Sequence, residues 1–147
     1  MNARRGITGA VALVAAGVLT GCAGNPAPGE KGYPYNLNGE YDAVFVVQGM
    51  PYSGLTTLST APGGAVTGEI RFDRPVEVLG SFDGSVRDST LLFESMYERD
   101  MGCQGTVIGE GTVLPGGAGA SGTIQVADDC GGGVMEGTFE FAGPGAP

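Results

Sequence analysis

The most regular pattern in this chain is a glycine-centred alternation, which first occurs as Thr67-Gly68-Glu69-Ile70-Arg71-Phe72. In an extended chain it places glycine and apolar residues on one face and polar residues on the other. It returns in Ser121-Gly122-Thr123-Ile124-Gln125-Val126 and Glu136-Gly137-Thr138-Phe139-Glu140-Phe141. A period of two residues is typical of β-strands that bury one face. A glycine on that face fits where a strand bends sharply or where another backbone approaches closely.

Other segments extend this pattern into a complete fold. We expect an all-β fold, a small antiparallel meander of about eight strands that forms either a barrel or a compact sandwich. Asp83-Gly84-Ser85-Val86 is a shorter echo of the alternation, but Asp83-Gly84 is also a strong turn pair and is predicted as a turn; Gly109 is predicted as a break between two strands. Thr90–Arg99 fits either a strand or a short helix, and we prefer a strand because its neighbours are β. Additional strands are predicted at residues 41–47, 55–60, 76–82, 103–108 and 112–114.

The glycine content supports the same fold class. The chain has 29 glycines in 147 residues, far above the usual fraction of about 7%. Collagen requires glycine at every third position, and that regularity is absent here. Disordered chains lack apolar runs, whereas such runs recur here from Ala43 to Phe141. With collagen and disorder excluded, the composition favours a β protein that has many tight turns and glycines inside its strands.

The N-terminus carries a second informative pattern. Arg4 and Arg5 precede an apolar stretch at residues 7–19, which ends in Leu19-Thr20-Gly21-Cys22. As a helix this stretch would span about 20 Å, too short for a hydrocarbon core of about 30 Å. It is therefore predicted to be a signal peptide and not a transmembrane anchor. Together with the final tetrapeptide it resembles the lipobox signal of bacterial lipoproteins.

That resemblance covers residues 1–22 and implies a compartment. Residues 1–21 would be removed as a signal peptide, and Cys22 would carry the lipid that attaches the protein to a membrane. The protein is then membrane-anchored and extracytoplasmic. Because Ala23 and not Asp follows the cysteine, the resemblance implies the outer membrane in a diderm host. In a monoderm host it implies the cell membrane.

The remaining chain divides into three predicted parts. Residues 22–38 hold the lipidated cysteine and a flexible tether, because Pro26, Pro28 and Pro34 oppose regular structure. Residues 39–141 form the β domain. Residues 142–147 form a disordered tail rich in glycine and proline.

With Cys22 assigned to the lipid, Cys103 and Cys130 remain of the three cysteines. In an exported protein two such cysteines are expected to form a disulfide. The alternative is a reactive thiol pair, which usually has a closer spacing such as C-x-x-C.

Several chemistries are excluded by composition. The chain has no histidine, which removes Ser-His-Asp and Cys-His catalysis and histidine-based zinc sites. Its single lysine, Lys31, lies in the predicted tether. We therefore expect no enzyme activity, no cofactor and no metal. The net charge of −9 disfavours nucleic acid and favours a basic protein partner.

Two groups of residues are candidates for binding. A Cys103–Cys130 bridge would bring together an acidic rim made of Glu98, Asp100, Asp128 and Asp129. These acids could hold Ca²⁺, but the D-x-D-x-D-G loop is missing and Arg99 lies among them. Met50-Pro51-Tyr52 and Met96-Tyr97 would be adaptable contacts at the mouth of a barrel, or ordinary core residues.

The functional prediction is a non-catalytic binding module in the cell envelope, with contacts made by loops at one end of the barrel. One alternative is a lipocalin-like carrier of a small molecule. Another is a structural envelope lipoprotein without a specific ligand. The volume of an internal cavity separates the carrier from the other two. The sequence makes no prediction about oligomeric state.

Overall fold

A computed structural model describes residues 24–143. Cys22, the signal segment and residues 144–147 lie outside the described residues, so the lipidation and signal-peptide hypotheses stay predictions. Among residues 24–143, no helix has the length and hydropathy needed to cross a membrane.

Eight antiparallel strands form a closed barrel in sequence order, with β1 pairing to both β2 and β8. The all-β prediction is confirmed, and of its two alternatives the barrel is the correct one. Thr90–Arg99 is a strand, as preferred. The strands are β1 (Gly39–Val47), β2 (Met50–Thr60), β3 (Ala65–Arg74), β4 (Val78–Arg87), β5 (Thr90–Arg99), β6 (Gln104–Val113), β7 (Gly119–Asp128) and β8 (Val134–Ala142).

The repeated glycines face the interior where neighbouring strands approach closely. A Cβ atom at Gly68 would collide with the backbone oxygen of Thr57, and one at Gly122 with that of Glu110. These strands can therefore bend and approach one another only because no side chain is present. The expectation of close backbone approach at these positions is confirmed.

Gly84 and Gly109 lie inside strands, so the predicted turn at Asp83-Gly84 and the break at Gly109 are wrong. Gly84 and Gly109 pair with Phe93 from either side, in β4 and β6. A Cβ atom on either glycine would collide with Phe93. The Phe93 ring occupies the space beside Gly109, whereas the backbone oxygen of Leu92 and the Cβ of Phe93 lie against Gly84. These close approaches are why glycine occurs in the middle of both strands.

Four of the six phenylalanines fill one half of the barrel. All six phenylalanines are at most 5% exposed. Phe82 and Phe93 stack with ring centroids 4.6 Å apart, and Phe93 meets the edge of Phe139 at 5.0 Å. Phe141 lies 5.1 Å from Phe139. Offset and edge-to-face contacts of this kind add to the stabilisation that burial provides.

The segment predicted as a flexible tether instead packs across one end of the barrel, which we call the closed end. Leu37 is fully buried, and its backbone N–H donates to Thr60 Oγ1 at 2.9 Å. The segment is joined to three loops of this end by hydrogen bonds from Gly63 N–H to Pro28 O (3.1 Å), from Tyr33 Oη to Asp88 O (3.0 Å) and from Gly116 N–H to Pro34 O (2.7 Å).

At the other terminus the barrel extends one residue beyond the predicted domain. Ala142 is the last residue of β8 and pairs with Asp42 and Gly119. The N–H of Gly143 donates to Ala118 O at 2.8 Å.

Candidate ligand-binding cavity

A cavity of about 330 Å³ occupies the half of the barrel opposite the closed end. Phe45, Ile70 and Phe72 contribute buried apolar surface to it, since each is at most 5% exposed. Gln48 and Met50 also line it, and both are exposed residues at the β1–β2 hairpin. The cavity therefore runs from the barrel interior to solvent. We call this the open end, formed by the β1–β2, β3–β4, β5–β6 and β7–β8 connections.

Strand β5 brings polar side chains into this cavity by simple alternation. Leu91 and Phe93 face the interior, and the same face continues through Ser95, Tyr97 and Arg99. Strand β7 does the same with Ile124, Val126 and Asp128. Because side chains alternate between faces, both strands begin with apolar interior residues and end with polar ones at the open end.

Asp128 is the centre of a hydrogen-bonded polar cluster. Its Oδ2 accepts from Tyr97 Oη at 2.6 Å and from Arg99 Nε at 2.8 Å. Its Oδ1 accepts from Arg99 Nη2 at 3.1 Å and from the N–H of Cys130 at 2.8 Å. The arginine thus holds the carboxylate in a fork, the strongest common geometry for such a pair. The Asp128 side chain is only 2% exposed.

The cluster fixes the charge state of its members. Hydrogen bonding from Arg99 lowers the pKa of Asp128 to about 2, against the opposing effect of burial. Burial and the hydrogen bond to Asp128 both raise the pKa of Tyr97 well above its ordinary value of 10.0. Near neutral pH the carboxylate is therefore charged and the phenol is protonated.

The predicted disulfide is confirmed. Cys103 and Cys130 are bonded, with their Cα atoms 5.6 Å apart. The bridge joins the β5–β6 connection to the β7–β8 connection, beside Asp128. Gln104 N–H also donates to Asp129 Oδ1 at 2.9 Å across the same two connections. These links hold one side of the open end in a fixed arrangement.

The four acids predicted as a binding rim have different surroundings. Asp128 faces the interior and is neutralised by Arg99, so the expectation of a solvent-facing acid is wrong at this position. Asp100 is exposed, with Oδ1 3.5 Å from Arg99 Nη1. Glu98 lies on the outer face of β5, and Asp129 is exposed. A basic protein partner stays a prediction that now depends on three acids.

Cys103, Asp128, Asp129 and Cys130 also lie close enough to suggest a metal site. However, the two sulfurs are bonded to each other and cannot act as thiolate ligands. Asp128 already accepts four hydrogen bonds. The cluster therefore lacks the free ligand atoms that a cation needs.

The aromatic and methionine candidates divide between the two faces of the barrel. Met50, Tyr52 and Tyr97 line the cavity, as expected for contacts at a barrel mouth. Met96 points outward and is 65% exposed. Sequence reasoning missed Ser95 and Arg99, although the alternation that places Phe93 inside also places both of them there.

The walls of the cavity are mainly apolar, with Val78, Val107 and Val126 in addition to the residues above. An apolar concavity with a few convergent polar groups is the usual form of a small-molecule site. No protein-family model, no curated protein and no solved structure matches this chain.

Proposed function

We propose that this protein is a lipid-anchored, extracytoplasmic binding protein that takes a small, mainly apolar molecule into the open end of its barrel. The observation that carries the proposal is the cavity of about 330 Å³ with its apolar walls. Ligand pockets usually begin at about 300 Å³. Of the functions expected from the sequence, the small-molecule carrier is the one that such a cavity favours.

The proposal does not include catalysis. General acid–base catalysis near neutral pH needs a group whose pKa lies close to the working pH. Asp128 has its pKa lowered to about 2, and the pKa of Tyr97 is raised from an already high value. Both groups are also hydrogen-bonded to each other, so neither is poised to transfer a proton to a ligand.

The membrane anchor gives the barrel an orientation in this proposal. The chain between Cys22 and Pro28 can span at most about 22 Å. From Pro28 onward the segment is hydrogen-bonded to the closed end. A lipid on Cys22 would therefore hold the closed end near the membrane and leave the open end facing away from it. Ligand would then be taken from the surrounding aqueous space.

The test is the binding of propylbenzene, a small apolar probe, to the mature chain. The chain carries Cys22→Ser, which removes the proposed lipid attachment site, so that no detergent is needed. We expect saturable binding at one site by isothermal titration calorimetry and by saturation-transfer NMR. The matched variants are Val107→Phe and Ile108→Phe, neighbours on β6. Val107 lines the cavity, whereas Ile108 is 58% exposed on the outer face.

Val107→Phe fills the cavity and should weaken propylbenzene binding at least tenfold, while Ile108→Phe should leave it unchanged. Circular dichroism establishes that each variant is folded. Val126→Phe, on β7, repeats the test if Val107→Phe does not fold. The proposal is contradicted if the parent chain does not bind the probe or if the inner and outer variants bind it equally well.

A further inference from the structure

Ser95 is the polar group in the barrel interior that lacks a partner among residues 24–143. The buried polar side chains of this part are Thr56, Thr60, Asp128 and Ser95. Thr56 Oγ1 donates to Glu69 O at 2.8 Å, and Thr60 Oγ1 donates to Leu37 O at 3.0 Å. Asp128 is held as described above, and Ser95 has no corresponding hydrogen bond although it is only 3% exposed.

The position of Ser95 explains how it can remain unpaired. No fully enclosed side-chain nitrogen or oxygen in the described residues is without a hydrogen bond. The Ser95 hydroxyl must therefore open onto the cavity that this residue lines. The hydroxyl therefore meets the cavity and not another protein group, so a ligand atom that bonds to it adds a directional contact to the apolar burial that the walls provide.

The neighbouring polar cluster offers donors and few acceptors. A carboxylate has about four lone-pair sites, and Asp128 already accepts four hydrogen bonds. Arg99 has five N–H groups, of which Nε and one on Nη2 bind Asp128. Further N–H groups of Arg99 and the Ser95 hydroxyl remain for a ligand. The Ser95 hydroxyl can donate or accept, but the free N–H groups of Arg99 can only donate. The one ligand group that suits both positions is a hydrogen-bond acceptor.

The local charge indicates that this acceptor is neutral. The positive charge of Arg99 is balanced by Asp128 at 2.8 Å, and Asp100 lies 3.5 Å from the same guanidinium. Two carboxylates thus face one cation, in a chain whose net charge is −9. An anionic group would meet net repulsion there. A cationic group would compete with the Arg99 guanidinium for the same two carboxylates, and the oxygens of Asp128 already accept four hydrogen bonds.

We infer that the ligand is an uncharged molecule with an apolar body and one carbonyl-type oxygen, which accepts a hydrogen bond from the Ser95 hydroxyl. This inference rests on the proposed function and specifies its ligand. Ligand pockets usually begin at about 300 Å³, so a cavity of about 330 Å³ takes a ligand, or a part of one, at the small end of that range.

The test compares four probes that share one phenyl ring and three further carbons: propylbenzene, phenylacetone, phenylpropionate and phenylpropylamine. Each is titrated into the mature chain carrying Cys22→Ser by isothermal titration calorimetry. We expect phenylacetone, the neutral ketone, to bind most tightly. The anion and the cation should bind more weakly than phenylacetone by at least tenfold.

The variant Ser95→Ala then identifies the contact. It should weaken the binding of phenylacetone about threefold to tenfold, the usual effect of losing one neutral hydrogen bond. The affinity for propylbenzene should not change. Ser85→Ala is the matched control, because Ser85 is exposed on the outer face of β4. It should change neither affinity.

The outcomes separate the inference from the function on which it rests. Suppose that propylbenzene binds the parent chain and not Val107→Phe, but that a charged probe has the same affinity as phenylacetone. The inferred ligand class is then wrong and the binding function stands. Equal phenylacetone affinity in Ser95→Ala and Ser85→Ala also overturns the inference. If none of the four probes binds, the proposed function itself fails.

Discussion

Replacing Asp128 by Asn tests whether charge holds the polar cluster at the open end together. The substitution preserves the shape of the side chain but removes the buried carboxylate 2.8 Å from the Arg99 guanidinium, which leaves it only the exposed Asp100 at 3.5 Å among the described residues. The pKa of Asp128 falls from an ordinary 3.8 to about 2 in the folded chain. One pKa unit corresponds to about 1.4 kcal/mol, so the charged form contributes about 2 kcal/mol to the free energy of unfolding at neutral pH. The side chain is 2% exposed, so solvent screens little of this contribution.

The direction of the pH dependence follows from the sign of the shift. A carboxyl group whose pKa is lowered by folding stabilises the protein fully above its unfolded pKa, here 3.8. This stabilisation is lost as the pH falls through the folded pKa of about 2. The difference in stability between the parent chain and Asp128→Asn should therefore be complete at neutral pH and diminish below about pH 4.

Urea unfolding followed by circular dichroism, with the disulfide intact, measures this difference at neutral pH and at successively lower pH. Asp83→Asn is the control, because Asp83 is exposed on the outer face of β4 and should change stability by less than about 0.5 kcal/mol. Two results would refute the reasoning. One is a loss of unfolding free energy in Asp128→Asn as small as that in the control. The other is a loss that is as large near pH 2 as at neutral pH.

Three further predictions concern the closely packed strands, the disulfide and the anchor. Gly122→Ala should lower the free energy of unfolding by about 1–3 kcal/mol. The control Gly132→Ala, whose added Cβ meets nothing within 4 Å, should leave it unchanged, and thermal unfolding compares the two variants. Replacing Cys103 and Cys130 together by Ala opens a loop with a sequence separation of 27 and should cost about 3 kcal/mol in urea unfolding. Cys22→Ser should abolish incorporation of radiolabelled palmitate, and unchanged labelling would contradict the lipobox assignment.

The strand content of this fold could be predicted because alternation is a local property. Residues such as Ile70, Phe72, Phe139 and Phe141 are separated by polar neighbours, and no contact elsewhere in the chain is needed to recognise the buried face. Closure was harder to predict, since a barrel and a sandwich impose the same alternation on each strand. The pairing of β1 with β8 decides between them, and it is a contact between the ends of the domain.

The structural role of a glycine was mispredicted where that role depends on a residue that is distant in the sequence. Gly84 follows Asp83, and this pair is typical of tight turns. In the barrel Gly84 instead pairs with Phe93, and the backbone oxygen of Leu92 and the Cβ of Phe93 occupy the space beside it. The residues adjacent to a glycine do not reveal whether an aromatic ring lies across from it. Only the register between strands does.

The N-terminal segment shows the same limit for proline-rich sequence. Pro26, Pro28 and Pro34 do exclude regular structure, but an irregular segment can still be rigid when it is hydrogen-bonded along its length. Leu37 was the one sign of this packing in the sequence, because a large apolar side chain is usually buried and not solvated. Its complete burial follows from its position above the barrel interior, which the local sequence does not encode.

The position of the cavity follows from the distribution of side-chain size inside the barrel. An eight-stranded barrel has an interior just wide enough to be filled by side chains. Phe82, Phe93, Phe139 and Phe141 fill the half nearer the closed end. In the other half the inward positions of β4 to β7 include Gly80, Ser95, Val107 and Val126, all of which line the cavity. These smaller side chains leave space beside Phe45, Phe72 and Tyr97, so most of the cavity is built into the strands. Gln48 and Gly131, in two of the connections, complete its lining.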